Sequence, residues 1–169
     1  MSNIPLISAA EMGGITQSPA SRMVGAWHLD VEGSDLGADH PANDYRLTRT
    51  IGWNGTTLTE TDEAANIVIV GYFVPKARTV TELRPDGVER EVTAAGAVPM
   101  FPTVTMMAKA GWQGDNLYIE AYGHSPFGYW TRTRRLFLSP DGTVLTEFLR
   151  EDIRLLEDSE KVLVFRRVQ

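Results

Sequence analysis

Leu136-Phe137-Leu138-Ser139-Pro140-Asp141-Gly142-Thr143-Val144-Leu145-Thr146 decides how this chain folds. Apolar runs flank Ser-Pro-Asp-Gly, in which Pro presets φ, Asp accepts a local hydrogen bond and Gly takes the left-handed position. The stretch therefore reads as two strands joined by a tight reversal. Arg84-Pro85-Asp86-Gly87-Val88 repeats that turn chemistry. Trp53-Asn54-Gly55-Thr56 carries the Asn-Gly pair that favours a two-residue type I′ hairpin, and Trp112-Gln113-Gly114-Asp115-Asn116 makes a fourth turn. No helical periodicity competes with these signals.

Segments of strand length lie between the turns, at 24–32, 44–53, 56–62, 66–84 (long and bent around Pro75), 88–94, 103–112, 116–122, 129–138, 143–150 and 161–168. If each strand reverses the last, the tight turns gather at one end. The longer connections 33–43, 63–65, 95–102, 123–128 and 151–160 gather at the other. A meander with one neat and one loose end predicts an all-β, antiparallel up-and-down barrel of about 8–10 strands with a single mouth, because closure removes exposed edges. A sandwich is the alternative.

The chain has 169 residues, a formal charge of −6 and no cysteine. That length predicts one domain with its own core. The absence of cysteine excludes a disulfide framework, a thiol nucleophile and thiolate metal sites. The acidic balance argues against a nucleic-acid partner, which needs a basic face. Residues 1–22 read as an N-terminal extension or lid, with Ser8 and Glu11 at capping-box spacing before Gly13-Gly14, and residues 23–169 as the barrel. The N-terminal stretch has no basic residue before Arg22 and no long apolar run. The expectation is a cytoplasmic protein that neither follows a secretory signal nor enters a membrane.

Val24-Gly25-Ala26-Trp27-His28-Leu29-Asp30 reproduces the Gly-X-Trp signature on the first strand of lipocalins. The Ser-Pro-Asp-Gly hairpin also resembles the one joining the penultimate strands of bacterial lipocalin-like barrels. The resemblance covers residues 23–168 and implies a calycin-type barrel with Trp27 plugging its closed end. Lipocalins are usually exported and often disulfide-bonded, whereas this chain has no cysteine, no export is expected of it and no C-terminal helix is evident in its sequence. The resemblance therefore extends to architecture.

Strand alternation assigns faces. Gly25, Trp27, Leu29 and Val31 share the first strand's inner face, leaving His28 and Asp30 outside. Tyr45, Leu47, Arg49, Ile51 and Trp53 share a face, so Arg49 is either an anion clamp in a pocket or part of a structural ion pair. Val104, Met106, Ala108, Ala110 and Trp112 form another face, whose alanines leave volume in an already wide barrel. Trp130, Arg132, Arg134, Leu136 and Leu138 alternate with Tyr129, Thr131, Thr133, Arg135 and Phe137, and the hairpin places Glu147 opposite Arg134 or Arg135. Tyr118, Glu120 and Tyr122 form a hydroxyl–carboxyl–hydroxyl ladder: inside, Glu120 is desolvated, whereas outside it is an ordinary wet face. Phe101 and Phe127, in apolar loops at the loose end, and His40 and His124 belong to the rim.

No phosphate-binding glycine loop, histidine pair at metal-ligand spacing, EF-hand or nucleophile elbow occurs, so neither cofactor nor metal is indicated. Two functions fit. One is binding of a small hydrophobic or amphipathic molecule in the lumen, with Tyr45, Phe101, Met106, Tyr118, Phe127 and Trp130 around its body and Arg49, Arg132 or Arg134 meeting an acidic head group. The other is a cofactor-independent cyclase, isomerase or lyase in the same cavity. There Glu120 is the base, Tyr122 the donor to an enolate oxygen and His124 a proton shuttle. A homodimer stays open on either reading.

Overall fold

The structure, a computed structural model, describes residues 17–37, 44–69, 72–98, 101–125, 128–156 and 158–169. A short helix α1 (Pro19–Met23) is followed by β1 (Gly25–Leu29), β2 (Arg46–Trp53), β3 (Leu58–Ile69), β4 (Tyr72–Leu83) and β5 (Arg90–Val98). Next come β6 (Phe101–Gln113), β7 (Asn116–Ser125), β8 (Gly128–Leu138), β9 (Val144–Ile153) and β10 (Ser159–Arg167). Every strand pairs antiparallel with its sequence neighbour, and β1 pairs with β10, so the sheet closes into a barrel and the sandwich alternative falls away.

Two local expectations are corrected. Residues 66–84 are not one strand bent at Pro75: β3 runs through 63–65 to Ile69, and the reversal falls between Ile69 and Tyr72. Asn66 takes positive φ (58°) inside β3, across from Pro75, which has no N–H to give the ladder. The Asn-Gly loop is also longer than two residues, because Trp53 pairs with Leu58. Asn54 Oδ1 accepts the N–H groups of Thr56 (3.0 Å) and Thr57 (2.8 Å), an Asx arrangement that outcompetes the tighter turn. That shift is two residues, so the face assignments survive it.

The closed end is built around Trp27, which has no exposed surface. Its indole N–H donates to the Met23 carbonyl (3.0 Å), tying α1 under the barrel. The Arg167 guanidinium lies 4.2 Å above the ring and donates to the carbonyls of Gly142 (2.7 Å), Val24 (2.7 Å) and Arg22 (2.6 Å). A Cβ on Gly25 would lie 2.7 Å from Arg167 Nη1, so only glycine leaves room for that guanidinium. Met23, Ile51, Leu58, Leu117, Leu136, Leu145 and Phe165 complete the apolar plug. Ser18 caps α1, which places residues 17–23 at the closed end and away from the mouth; Ser8 and Glu11 lie outside the described residues.

His28 is exposed on the outer face, bonded to Thr48 Oγ1 (3.0 Å). Among the described residues no helix is long and apolar enough to cross a membrane. Replacing Trp27 with Ala removes the centre of the plug and is expected to lower unfolding stability by about 3–5 kcal/mol. Chemical denaturation read by circular dichroism measures the loss, and a change below about 1 kcal/mol would contradict the role given to Trp27.

Candidate functional site

Halfway along the barrel the inward side chains become charged. Arg49 on β2, Glu60 and Asp62 on β3, Arg134 on β8 and Glu147 on β9 meet in the lumen. Arg49 grips Asp62 with both prongs, Nε to Oδ1 and Nη2 to Oδ2, each at 2.8 Å. Its Nη1 donates to Glu147 Oε2, and its Nε lies 3.5 Å from Glu60. Arg134 donates to both Glu147 oxygens (2.6 and 3.1 Å) and to Glu60 (2.8 Å). Among the described residues no buried side-chain nitrogen or oxygen lacks a partner.

Electrostatics holds Glu147 and the two arginines in their charged forms. Burial alone would raise the Glu147 pKa, but Arg134 and Arg49 outweigh it and hold the carboxyl well below its ordinary value. Burial would equally lower Arg49, and Asp62, Glu147 and Glu60 reverse that, leaving its pKa well above normal. For Arg134, Glu147 and Glu60 likewise overcome burial and the repulsion of Arg49. Both arginines are paired with carboxylates, the structural ion-pair arrangement that was one of the two alternatives for Arg49. The hairpin register differs from expectation, since Leu136 lies opposite Glu147 and Arg134 reaches it diagonally. The loop from Ser139 to Val144 is longer than a tight turn, with Ser139 N–H donating to the Val144 carbonyl (2.8 Å).

Toward the mouth several inward side chains keep partial exposure. Arg132 is inward, level with Ala121 and Glu151, yet 41% of its side chain meets water, against 10% for Arg134 one layer deeper. On a strand enclosed by two neighbours, that exposure comes through the lumen. Arg132 Nε donates to Glu151 Oε1 (2.6 Å), Nη2 contacts the same oxygen, and the guanidinium lies 5.5 Å over the Trp130 ring. Among the described residues Nη1 has no hydrogen-bond partner. A Cβ on Gly123 would lie 3.0 Å from the Trp130 ring, so the indole lies close against the bare wall of β7. Tyr45, Val92, Val104, Met106, Leu149 and Ile153 pack above the core here and keep partial exposure. Burial first, then Asp62, raises the Tyr45 pKa, so its hydroxyl stays protonated.

Of the residues singled out from the sequence, Tyr45, Met106, Trp130 and Arg132 lie on inward faces above the charged layer that holds Arg49 and Arg134, with Arg132 over Trp130 the contact among them that the geometry shows. Tyr118, Glu120, Tyr122 and His124 do not. The inward face of β7 is Leu117, Ile119 and Ala121, so the ladder faces outward: Glu120 and His124 are exposed, and Tyr122 donates to Glu89 Oε2 (3.3 Å) on the surface. Partial burial and then Glu89 raise the Tyr122 pKa. The base, donor and shuttle expected in the cavity are thus separated from it by the sheet itself. Phe101 opens β6, but its side chain, like Phe127 and His40, lies outside what the structure describes.

Glu60, Asp62 and Glu151 escaped the sequence reading. Their signal is parity: Leu58, Glu60 and Asp62 alternate on one face, and Leu149, Glu151 and Ile153 on another. Two acids on an inward strand face make sense only once arginines are known to stand across the lumen.

No protein-family model and no curated protein matches the chain. Among solved structures, that of Rv2717c from M. tuberculosis is similar, with a TM-score of 0.51 and 19% identity, covering 90% of this chain and 99% of that one. The likeness concerns the barrel fold alone.

Replacing Glu147 with Gln removes the fully buried carboxylate that both guanidiniums share and is expected to cost about 3–5 kcal/mol. Because the folded pKa lies below 4.5, the stabilisation from Glu147 is complete above that value and is lost as pH falls beneath it. Denaturant midpoints measured from neutral to acid pH should therefore fall steeply in the native protein and less steeply in Glu147→Gln. Equal acid slopes would show that this carboxylate is not the one held down.

Proposed function

We propose that the chain is a lipocalin-like binding module that takes a small amphipathic molecule, apolar body outermost and polar head inward, in the open half of the barrel. The observation that carries this is Arg132, inward-facing, 41% exposed and with Nη1 unengaged among the described residues. Around it Trp130, Met106, Val104, Leu149 and Ile153 form an apolar wall that supports burial of a hydrocarbon or ring. The floor is already neutralised, so an incoming acidic or carbonyl head finds its free donor on Arg132 and no second one on Arg49 or Arg134. A charge-assisted bond in such a setting contributes about 1.5–3 kcal/mol.

Native mass spectrometry of freshly purified protein checks for a co-purified small molecule. Titration with anilinonaphthalene sulfonate, displaced by dodecanoate or dodecanol, then reads the site. Saturable binding with dodecanoate preferred over dodecanol is expected, and Arg132→Gln should weaken dodecanoate by roughly tenfold or more while leaving dodecanol little changed. Glu120→Gln, outside the barrel, should leave both as they are, and Met106→Trp should block both by filling the lumen. If no saturable binding occurs, or if Met106→Trp leaves it intact, the lumen is not the site.

A further inference from the structure

The outside of the barrel breaks the alternation that a water-facing sheet should show. Phe137 on β8, Phe148 on β9 and Val162 and Val164 on β10 all point outward, and Phe148 is 47% exposed. The two phenylalanines meet edge to face (5.4 Å, 88°). On β7, Tyr118 continues the strip, with the Arg135 guanidinium 5.0 Å over its ring. An outward apolar strip crossing four adjacent strands is an interaction surface.

Its neighbouring row of side chains identifies the occupant. Strand register aligns Lys109, Glu120, Thr133, Arg150 and Glu160 straight across β6, β7, β8, β9 and β10. Their charges read plus, minus, neutral, plus, minus. Turned end for end, that row is its own complement. A two-fold axis running along β8 in the contact plane sets Glu120 of one copy against Arg150 of the other, while Lys109 and Glu160, two strands from the axis on the closed barrel, turn away from the contact. The same operation brings Tyr118 against Phe148 in the adjacent row and Phe137 against its own copy. Arg135 lies on the axis, where like charges would meet, but it leans toward β7 and donates to the Tyr118 hydroxyl (3.4 Å). An isologous interface requires such self-complementarity, and a row of random charges would not supply it.

We infer that the outer face of β7, β8 and β9 is a homodimer interface, with a second copy of this chain related by a two-fold axis along β8. Glu120 is exposed, with no ion-pair partner among the described residues, and Arg150 holds its neighbours Asp158 and Glu160 only at 3.9 and 3.7 Å, so both are available to the opposing copy. Because neighbouring strands are about 4.8 Å apart and the barrel curves away, the strip falls short of the roughly 800 Å² per partner of a standard interface. The dimer is therefore weak and concentration-dependent, and it leaves the mouth free.

Sedimentation velocity on the full chain, from the order of 1 μM to 1 mM, tests this. The native protein should pass from monomer to dimer, less readily at high salt. Glu120→Arg and Arg150→Glu should each raise the dissociation constant roughly tenfold or more, and the double reversal should restore it, since the swapped pair again meets across the axis. Both substitutions are at exposed positions, and the double variant serves as the folding control. A native protein monomeric throughout the range, a dimer indifferent to either single reversal, or a double variant as weak as the singles would each overturn the interface.

Discussion

The contact between Arg134 and Glu60 crosses the full width of the barrel, since β8 and β3 are diametrically placed in the order of ten strands. Apolar side chains alone do not bridge a ring of that size. Two arginines and three carboxylates do, because long charged side chains reach the axis and satisfy one another there. Replacing such a network with fitted hydrocarbon can be neutral or favourable, whereas removing one member strands a buried charge. Its structural role is therefore to fill the middle of the barrel in one defined way, holding β2, β3, β8 and β9 at fixed separation.

Everything else arranges itself on either side of that layer. Below it, Trp27, Phe165 and the leucines form a dry plug, with Arg49 lying 4.7 Å over the Phe165 ring to join plug and network. Above it several inward residues are partly exposed, Arg132 most of all among the charged ones. The charged layer is thus both the roof of the core and the floor of the open lumen. The proposed binding site therefore lies in the upper half, above the layer that fills the middle.

The outer surface obeys a different logic. Glu120 and Tyr122, plausible as cavity groups by type, face water with the aromatic strip and the alternating charge row beside them. A ladder of hydroxyls and a carboxylate has one chemistry inside a barrel and another outside it. The face on which it falls is settled by one step of register, and here that step turns it outward.

Much of the architecture was legible. Turn chemistry at Asp86-Gly87 and Asp141-Gly142, and Gly25-X-Trp27 on the first strand, determined by themselves the antiparallel meander, its polarity and the closed-end place of Trp27, because these are local backbone and packing constraints. Alternation also assigned Arg49, Met106, Trp130 and Arg132 to one face each. Which face of β7 turns inward was not legible, since Leu117-Ile119-Ala121 and Tyr118-Glu120-Tyr122 alternate equally well. Nor were the partners of Arg49 and Arg134. Glu60 is 74 residues from Arg134 and Glu147 is 98 from Arg49, and only closure of the barrel brings groups that distant within hydrogen-bonding reach. Local sequence determined the strands, and closure alone decided which charges would neutralise one another across the lumen.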